Sequence, residues 1–310
     1  MTALICGSIA FDTVMVFPGH FREHILADRI HMLNVSFLVP QMRRNFGGCA
    51  GNIAYNLRLL GGDGVPMATV GHDFGPYHRW LGECGVETGR VRVIEGEFTA
   101  QAFITTDLDD NQITAFHPGA MSHSHLNHVP TDAGITLGVV APDGREGMVQ
   151  HAAQFAAAGV PVLFDPGQGL PMFDGAELRE FIARATWIAV NDYESQLLAD
   201  RTGLTHREIA SRVRALIVTR GAAGSSIYAD GREHLIPAAR PAAVVDPTGC
   251  GDAYRAGLIY GLMNGLDWAT TGRIASLMGS IKIAHPGTQQ HAFTMDGFRD
   301  SFREAFGRSL

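Results

Sequence analysis

Residues 242–265 read AAVVDPTGCGDAYRAGLIYGLMNG. An apolar β-type run, 242–246, enters a loop holding Gly249, Cys250 and Gly251, and a helical pattern follows from about Asp252. Strand, glycine turn and helix form the repeating step of an α/β protein. The first N–H groups of a helix lack intrahelical partners and carry partial positive charge, and glycines leave them bare, so such a loop can receive an anion. Asp252 stands in that loop, where its carboxylate would repel one. Asp252 is either an ordinary helix N-cap or part of a site that places something between carboxylate and anion.

The same step recurs outward along the chain. The runs at 3–8, 65–71, 134–140, 160–165, 186–190 and 214–221 read as buried strands. Helical patterns lie at 51–62, 147–159, 193–201, 252–264 and 267–284. Such alternation predicts a mostly parallel sheet flanked by helices on both faces. Two segments break it: 29–40 alternates like a strand, and 100–119 reads as a hairpin turning at Asp109, Asp110 and Asn111. Neither precedes a covering helix, so both are expected in a small accessory sheet, either a lid over the site or a plain β insertion.

Composition narrows the function. The chain has 310 residues, 46% hydrophobic and 18% charged, with a formal charge of −7, which argues against a nucleic-acid polymer as partner. The N-terminal stretch MTALICGSIAFD has no basic n-region, and no run of about 18 apolar residues occurs. Cys6, Cys49, Cys84 and Cys250 are scattered, as expected of reduced thiols in the cytoplasm. Lys282 is the single lysine among 24 basic residues and follows Ile281, which excludes a P-loop. Any phosphate must be held by backbone amides, arginine or metal.

The segment DPTGCGDAY (246–254) resembles the second signature of the ribokinase-like (PfkB) carbohydrate and nucleoside kinases, D-T-x-G-A-G-D-x-F. Asp246, Gly249, Gly251 and Asp252 match; Pro247 in the slot after the first aspartate, Cys250 and Tyr254 depart. Gly47, Gly48, Asn52 and Ala54 match the first signature, G-G-x-x-x-N-x-A. Asn191 and Glu194 match N-x-x-E, while Thr219, Gly221 and Gly224 match T-x-G-x-x-G. With Gly7 and Asp12, the matches run in the family's order over nearly the whole chain.

The resemblance implies one ribokinase-like α/β domain over 1–310, with lid strands inserted at about 12–45 and 97–120. It implies that Gly249, Cys250, Gly251 and the backbone of Asp252 form an anion hole, and that Asp252 is the base for the acceptor hydroxyl. Asp12, Gly47, Gly48 and Asn52 are then expected to hold the acceptor. Asn191 and Glu194 are expected to organise Mg²⁺ on ATP, and Thr219, Arg220, Gly221 and Gly224 to line the nucleotide. Adenine is expected near Ala275, Ser276 and Gly279. The stretch 280–291 resembles one where some relatives hold a monovalent cation such as K⁺, which would place that ion near Asp246, Ala284 and Gly287. Each residue also has a plain reading: Asp12, Asn52, Asn191 and Glu194 are all common in caps and first helical turns.

The acceptor is read from aromatic residues. Phe37, Phe103 and Phe116 lie on the accessory strands and Phe46 precedes the glycines; they can stack on a nucleobase or simply fill a small core. Cys49 stands where ribokinases carry lysine. Residues 31–37 and 43–54 are similar to bacterial and archaeal nucleoside kinases, adenosine-kinase-like members included. The expectation is an ATP-dependent kinase of the nucleoside 5′-hydroxyl, with adenosine- or inosine-like ribonucleosides over a broad base range as acceptors. A ribokinase- or fructokinase-like sugar kinase is the alternative, and a sensor without turnover is the reading from another class. His117, His123, His125 and His128 have no Cys or acidic partner at ligand spacing and are expected in a surface loop. Exposed accessory strands would permit a homodimer formed lid to lid.

Overall fold

The computed structural model describes residues 1–25, 34–109, 111–130 and 134–310. A nine-stranded sheet is built from β1 (Thr2–Cys6), β4 (Asp63–Val70), β5 (Val91–Val93), β8 (Ile135–Val140), β9 (Val162–Phe164), β10 (Trp187–Asn191), β11 (Ala215–Thr219), β12 (Ser225–Ala229) and β13 (Arg232–Ile236). Its order is β13-β12-β11-β10-β9-β8-β1-β4-β5. All pairs from β11 to β5 are parallel, and the β11–β12–β13 edge is antiparallel.

Side-chain alternation on β1 explains why both faces need helices. Ala3 and Ile5 join one core with Ile53, Ala54 and Leu57 of α2 (Cys49–Leu59) and Ile259 of α8 (Cys250–Met263). Leu4 and Cys6 join the other with Phe155 of α4 (Arg145–Ala157), Phe181 of α5 (Gly175–Arg184) and Leu198 of α6 (Asp192–Thr202). A parallel strand covered on both faces reads as a continuous apolar run, which is how these strands looked in the sequence. A third cluster joins α8, α9 (Trp268–Ile283) and α10 (Met295–Phe306) through Ala253, Met278 and Phe298.

A separate four-stranded sheet has the order β3-β2-β6-β7, from β2 (Ala10–Val16), β3 (Gln41–Gly47), β6 (Ala100–Thr106) and β7 (Gln112–His117). The hairpin expected at 100–119 is β6 and β7, paired antiparallel. The strand expected at 29–40 is misplaced. Residues 29–33 lie outside the described residues, 34–40 have no regular structure, and the strand is β3, paired from Val16↔Gln41 to Ala10↔Gly47. Its residues QMRRNFG show no apolar alternation because β3 is a sheet edge whose first four residues are exposed.

Two further expectations fail for local reasons. Residues 242–246 are no strand: Val244 and Val245 are exposed, and the N–H groups of Val245 and Asp246 donate to the Ile283 carbonyl at the end of α9. The loop before α8 therefore hangs from a helix end. Of the histidine-rich stretch, His123 and His125 lie not in a loop but on a 3-10 helix over Gly119–Leu126, with Gly119, Ala120 and Ser124 buried, while His117 ends β7 and His128 lies in the irregular segment that follows. His123 faces Glu97 at 3.3 Å and His125 faces Glu146 at 3.6 Å.

Candidate active site

A cavity of about 1020 Å³ opens between the two sheets. Ser8, Asp143, Asp165, Asn191 and Thr219 line it, each at or just past the C-terminal end of a parallel strand. Open α/β sheets bind ligands at this edge, because the connections leave a crevice there. Asp12, Ala102, Ile104 and Phe116 of the smaller sheet line the opposite wall.

Asp252 sits in the first turn of α8, whose N-cap is Gly249 at φ 78, a conformation that costs an L side chain more than glycine. Half-buried beside the glycine loop, its carboxylate is pushed up to about 7. Desolvation is the main cause; the hydrogen bond from Asn52 opposes it, Asp165 raises it further and Arg255 lowers it. A base poised near neutrality suits proton transfer. Asn52 Nδ2 donates to Asp252 Oδ2 at 2.8 Å, and Asn52 Oδ1 accepts from Gln289 Nε2 at 2.9 Å. Asn52 thus orients the carboxylate as well as lining the cavity. Gln289 is fixed by Trp80 Nε1 at 2.9 Å and by Tyr77 at 2.5 Å, and Tyr77 Oη donates to the Gly47 carbonyl at 2.9 Å. The two glycine signatures are thereby tied into one buried network.

Beneath α8, the Arg255 guanidinium grips Asp165 through Nε at 3.1 Å and Nη2 at 3.0 Å, and lies 3.9 Å from Glu194. Buried ions need such pairing. Glu194 and Asn191 form a capping box at the start of α6: Glu194 N donates to Asn191 Oδ1, and Asn191 N donates to Glu194 Oε2, each at 2.8 Å. Desolvation first, then Asp165, raises Glu194 above the usual carboxylate range. Asp143 is pushed up to about 8 by burial, and its Oδ2 has no partner.

Asp12 is raised to about 6 by desolvation and then by Asp246. Gly48, at φ 85, packs so closely that a Cβ would fall 2.6 Å from the Ala10 nitrogen. Gly48, Thr219, Gly221, Gly224, Ser276 and Gly279 all line the cavity. The Ser276 hydroxyl is engaged, accepting from Ala239 N at 2.8 Å and donating to the Pro237 carbonyl at 3.0 Å. Gly47, Arg220 and Phe37 are not among the lining residues. Gly47 holds Tyr77, the charge of Arg220 acts on Glu233, and Phe37 packs on Phe17 and Phe21 with ring centroids 4.8 and 5.0 Å apart.

The expected cation position is taken. Lys282 Nζ donates to the carbonyls of Asp246 at 2.7 Å and His285 at 3.2 Å, so the residues there do not fit a K⁺ ion. Sequence reasoning missed Lys282 in this role, as it missed Asp143, Asp165, Arg255, Tyr77 and Gln289. A lone arginine inside the apolar helix after Asp252 was a readable signal. Gln289 had none, since its partners are more than 200 residues away.

Burkholderia thailandensis nucleoside kinase in complex with inosine aligns with a TM-score of 0.90 at 57% identity, covering 99% of both chains. Methanocaldococcus jannaschii nucleoside kinase, an archaeal member of the ribokinase family, aligns with a TM-score of 0.89 at 29% identity over 98% of each chain. In sequence, a nucleoside kinase of that organism is 33% identical over 266 residues, 85% of this chain and 87% of the other. Fold and site together define a ribokinase-like phosphotransferase with an alcohol group as acceptor. The profile of the pfkB family carbohydrate kinases matches residues 13–294, and the chain belongs to that family.

Proposed function

We propose that the chain is an ATP-dependent nucleoside kinase that phosphorylates the 5′-hydroxyl of ribonucleosides of the inosine and adenosine type. The observation that carries this is the placement of Asp252. A carboxylate near neutrality stands at the bare N-terminus of α8, held by Asn52, in one cavity with Asp12. An acceptor hydroxyl between Asp252 and the phosphoryl group removes the repulsion noted at the outset. Asp252 takes the hydroxyl proton, and the amides from Gly249 to Asp252 stabilise charge on the transferred group. Asp12 accepts from two adjacent ribose hydroxyls.

The protein of Burkholderia thailandensis has been solved with inosine and with ADP-inosine, which supports nucleoside and ATP as substrates here. Phe116, half-exposed on the cavity wall, offers a face for a base that a bare sugar would leave unused. Oxygen donors at Glu194 and Asn191, with the unpartnered Asp143 Oδ2 in the same cavity, fit Mg²⁺. When bound, the ion would neutralise phosphate charge; Glu194 and Asn191 would hold it, through waters.

We read 1–310 as a single domain and the smaller sheet as its lid. The exposed β7 strand, with Ile113 and Phe116 on it, supports a homodimer through lid strands, to be checked by sedimentation. Free cysteines suit the cytoplasm, and among the described residues no helix is long and apolar enough to cross a membrane.

The test is phosphorylation of inosine, adenosine, ribose and fructose side by side. Free ribose keeps the diol contacts but loses stacking worth about 1–3 kcal/mol per base, so it should trail inosine by roughly tenfold or more in kcat/KM. Equal turnover of ribose or fructose would instead make this a sugar kinase. Loss of the diol contact should be steeper: Asp12→Ala should weaken ribonucleosides strongly, and deoxy analogues should be poor for the intact enzyme.

A further inference from the structure

Lys282 is the single lysine of the chain and is completely buried near the end of α9. Buried ammonium groups ordinarily face a carboxylate. Its hydrogen-bond partners are instead two backbone carbonyl oxygens, of Asp246 at 2.7 Å and His285 at 3.2 Å, while the Asp246 carboxylate supports its charge without a direct bond. Carbonyl oxygens converging on one positive centre is how proteins hold a bare monovalent ion. The two carbonyls belong to the two segments that carry the active-site loop. Asp246 opens the turn into Gly249 and α8, and its carboxylate accepts from Thr248 N and Gly287 N, each at 2.9 Å. Two residues past His285, that second segment turns through Gly287, and Thr288 donates to the Phe46 carbonyl at 2.5 Å, next to the acceptor glycines.

We propose that Lys282 is a tethered cation, its ammonium clamping the 246–249 and 285–288 segments beneath the anion hole, so that turnover needs no potassium or other free monovalent ion. The charge serves twice. It fixes the loop whose amides face the transferred phosphoryl group, and it adds positive potential on the side where negative charge develops. Supplied by the chain, it requires no ion to be captured and carries no dependence on salt composition. Lys282 is a positioning residue: it acts through Asp246 and Gly249 and touches no reacting atom.

The inference rests on the kinase reading, and the experiment separates the two. For the intact enzyme, turnover is measured with choline or tetramethylammonium as the only monovalent cation, then with potassium added. The rates should agree within about twofold. Activation by potassium well beyond that overturns the proposal, whether or not any variant folds. In Lys282→Met, of similar size and without charge, kcat should fall on the order of 10²-fold, more than KM for the nucleoside changes. Potassium or ammonium, but not tetramethylammonium, should restore part of the rate and raise the melting temperature of the variant while leaving that of the intact protein unchanged. A folded Lys282→Met with full activity, or one that no small cation restores or stabilises, overturns the proposal. The melting shift tests it even if no nucleoside is phosphorylated, so failure of the kinase reading would be recognised separately.

Discussion

At the scale of single residues, the carboxylate of Asp252 is governed by opposing neighbours. Desolvation raises it to about 7, and Asn52 holds it down through its hydrogen bond. Asp252→Asn should lower kcat by about 10²–10⁴-fold with nucleotide and acceptor binding largely kept, since a positioned base contributes about that much; near-normal turnover would remove it from the mechanism. Asn52→Leu tests the coupling. Without the Asn52 hydrogen bond the charged form loses support, the carboxyl rises further, and the acid limb of the kcat profile should move to higher pH. An unmoved limb would mean that Asn52 serves only the acceptor. The sequence carried Asp252 and Asn52 in recognisable spacings, but not that one is bonded to the other, 200 residues away. Asp165 escaped notice for the same reason: burial and pairing are properties of the fold, and a lone Asp has many ordinary uses.

At the scale of elements, the strand-to-helix junctions decide what the site can do. The α6 junction is a capping box, and Glu194 closes it with both carboxylate oxygens on Asn191. Glutamine keeps the backbone bond, because its carbonyl can accept it, and loses the bond from Asn191 Nδ2, a cost of about 0.5–1.5 kcal/mol. Glu194→Gln should therefore lower the melting temperature modestly and raise the Mg²⁺ concentration needed for half-maximal rate, because it removes charge near the phosphates. Superimposable Mg²⁺ titrations would reduce Glu194 to a capping residue. Elements buried on both faces were legible from apolar runs alone, as β1, β8 and β11 show. Edge elements were not. β3 is polar on the surface, and the apolar run 242–246 has no strand beside it, only the carbonyl of Ile283. Pattern reports burial, and these segments take their shape from neighbours.

At the scale of the whole molecule, the cavity that makes Asp252 a base also costs stability, and pH separates the two effects. Asp143, Asp252 and Asp12 are raised to about 8, about 7 and about 6 in the folded protein, against 3.8 for a free aspartate. The folded state therefore binds more protons than the unfolded chain over that range, and stability rises as pH falls through it. Buried His151 and His291 act in the opposite sense. Desolvation lowers each to about 4 from 6.5, so below about 6.5 the unfolded chain takes up protons that the folded state refuses. Carboxylates held low by hydrogen bonds, such as Asp246 and Asp73, lose their contribution only below 3.8 and do not enter this window. The ligand-free protein should thus melt at higher temperature as pH falls from about 8 to about 6.5, with a smaller gain below, where the two histidines offset part of the three carboxyls. Over the same interval kcat should fall as Asp252 takes up a proton. Calorimetry and initial rates across one pH series would check both curves. In Asp252→Asn, which has no carboxyl to titrate at that position, the stabilisation between about 8 and 6.5 should shrink; an unchanged slope would show that Asp252 is ionised throughout and that its burial does not set its proton affinity.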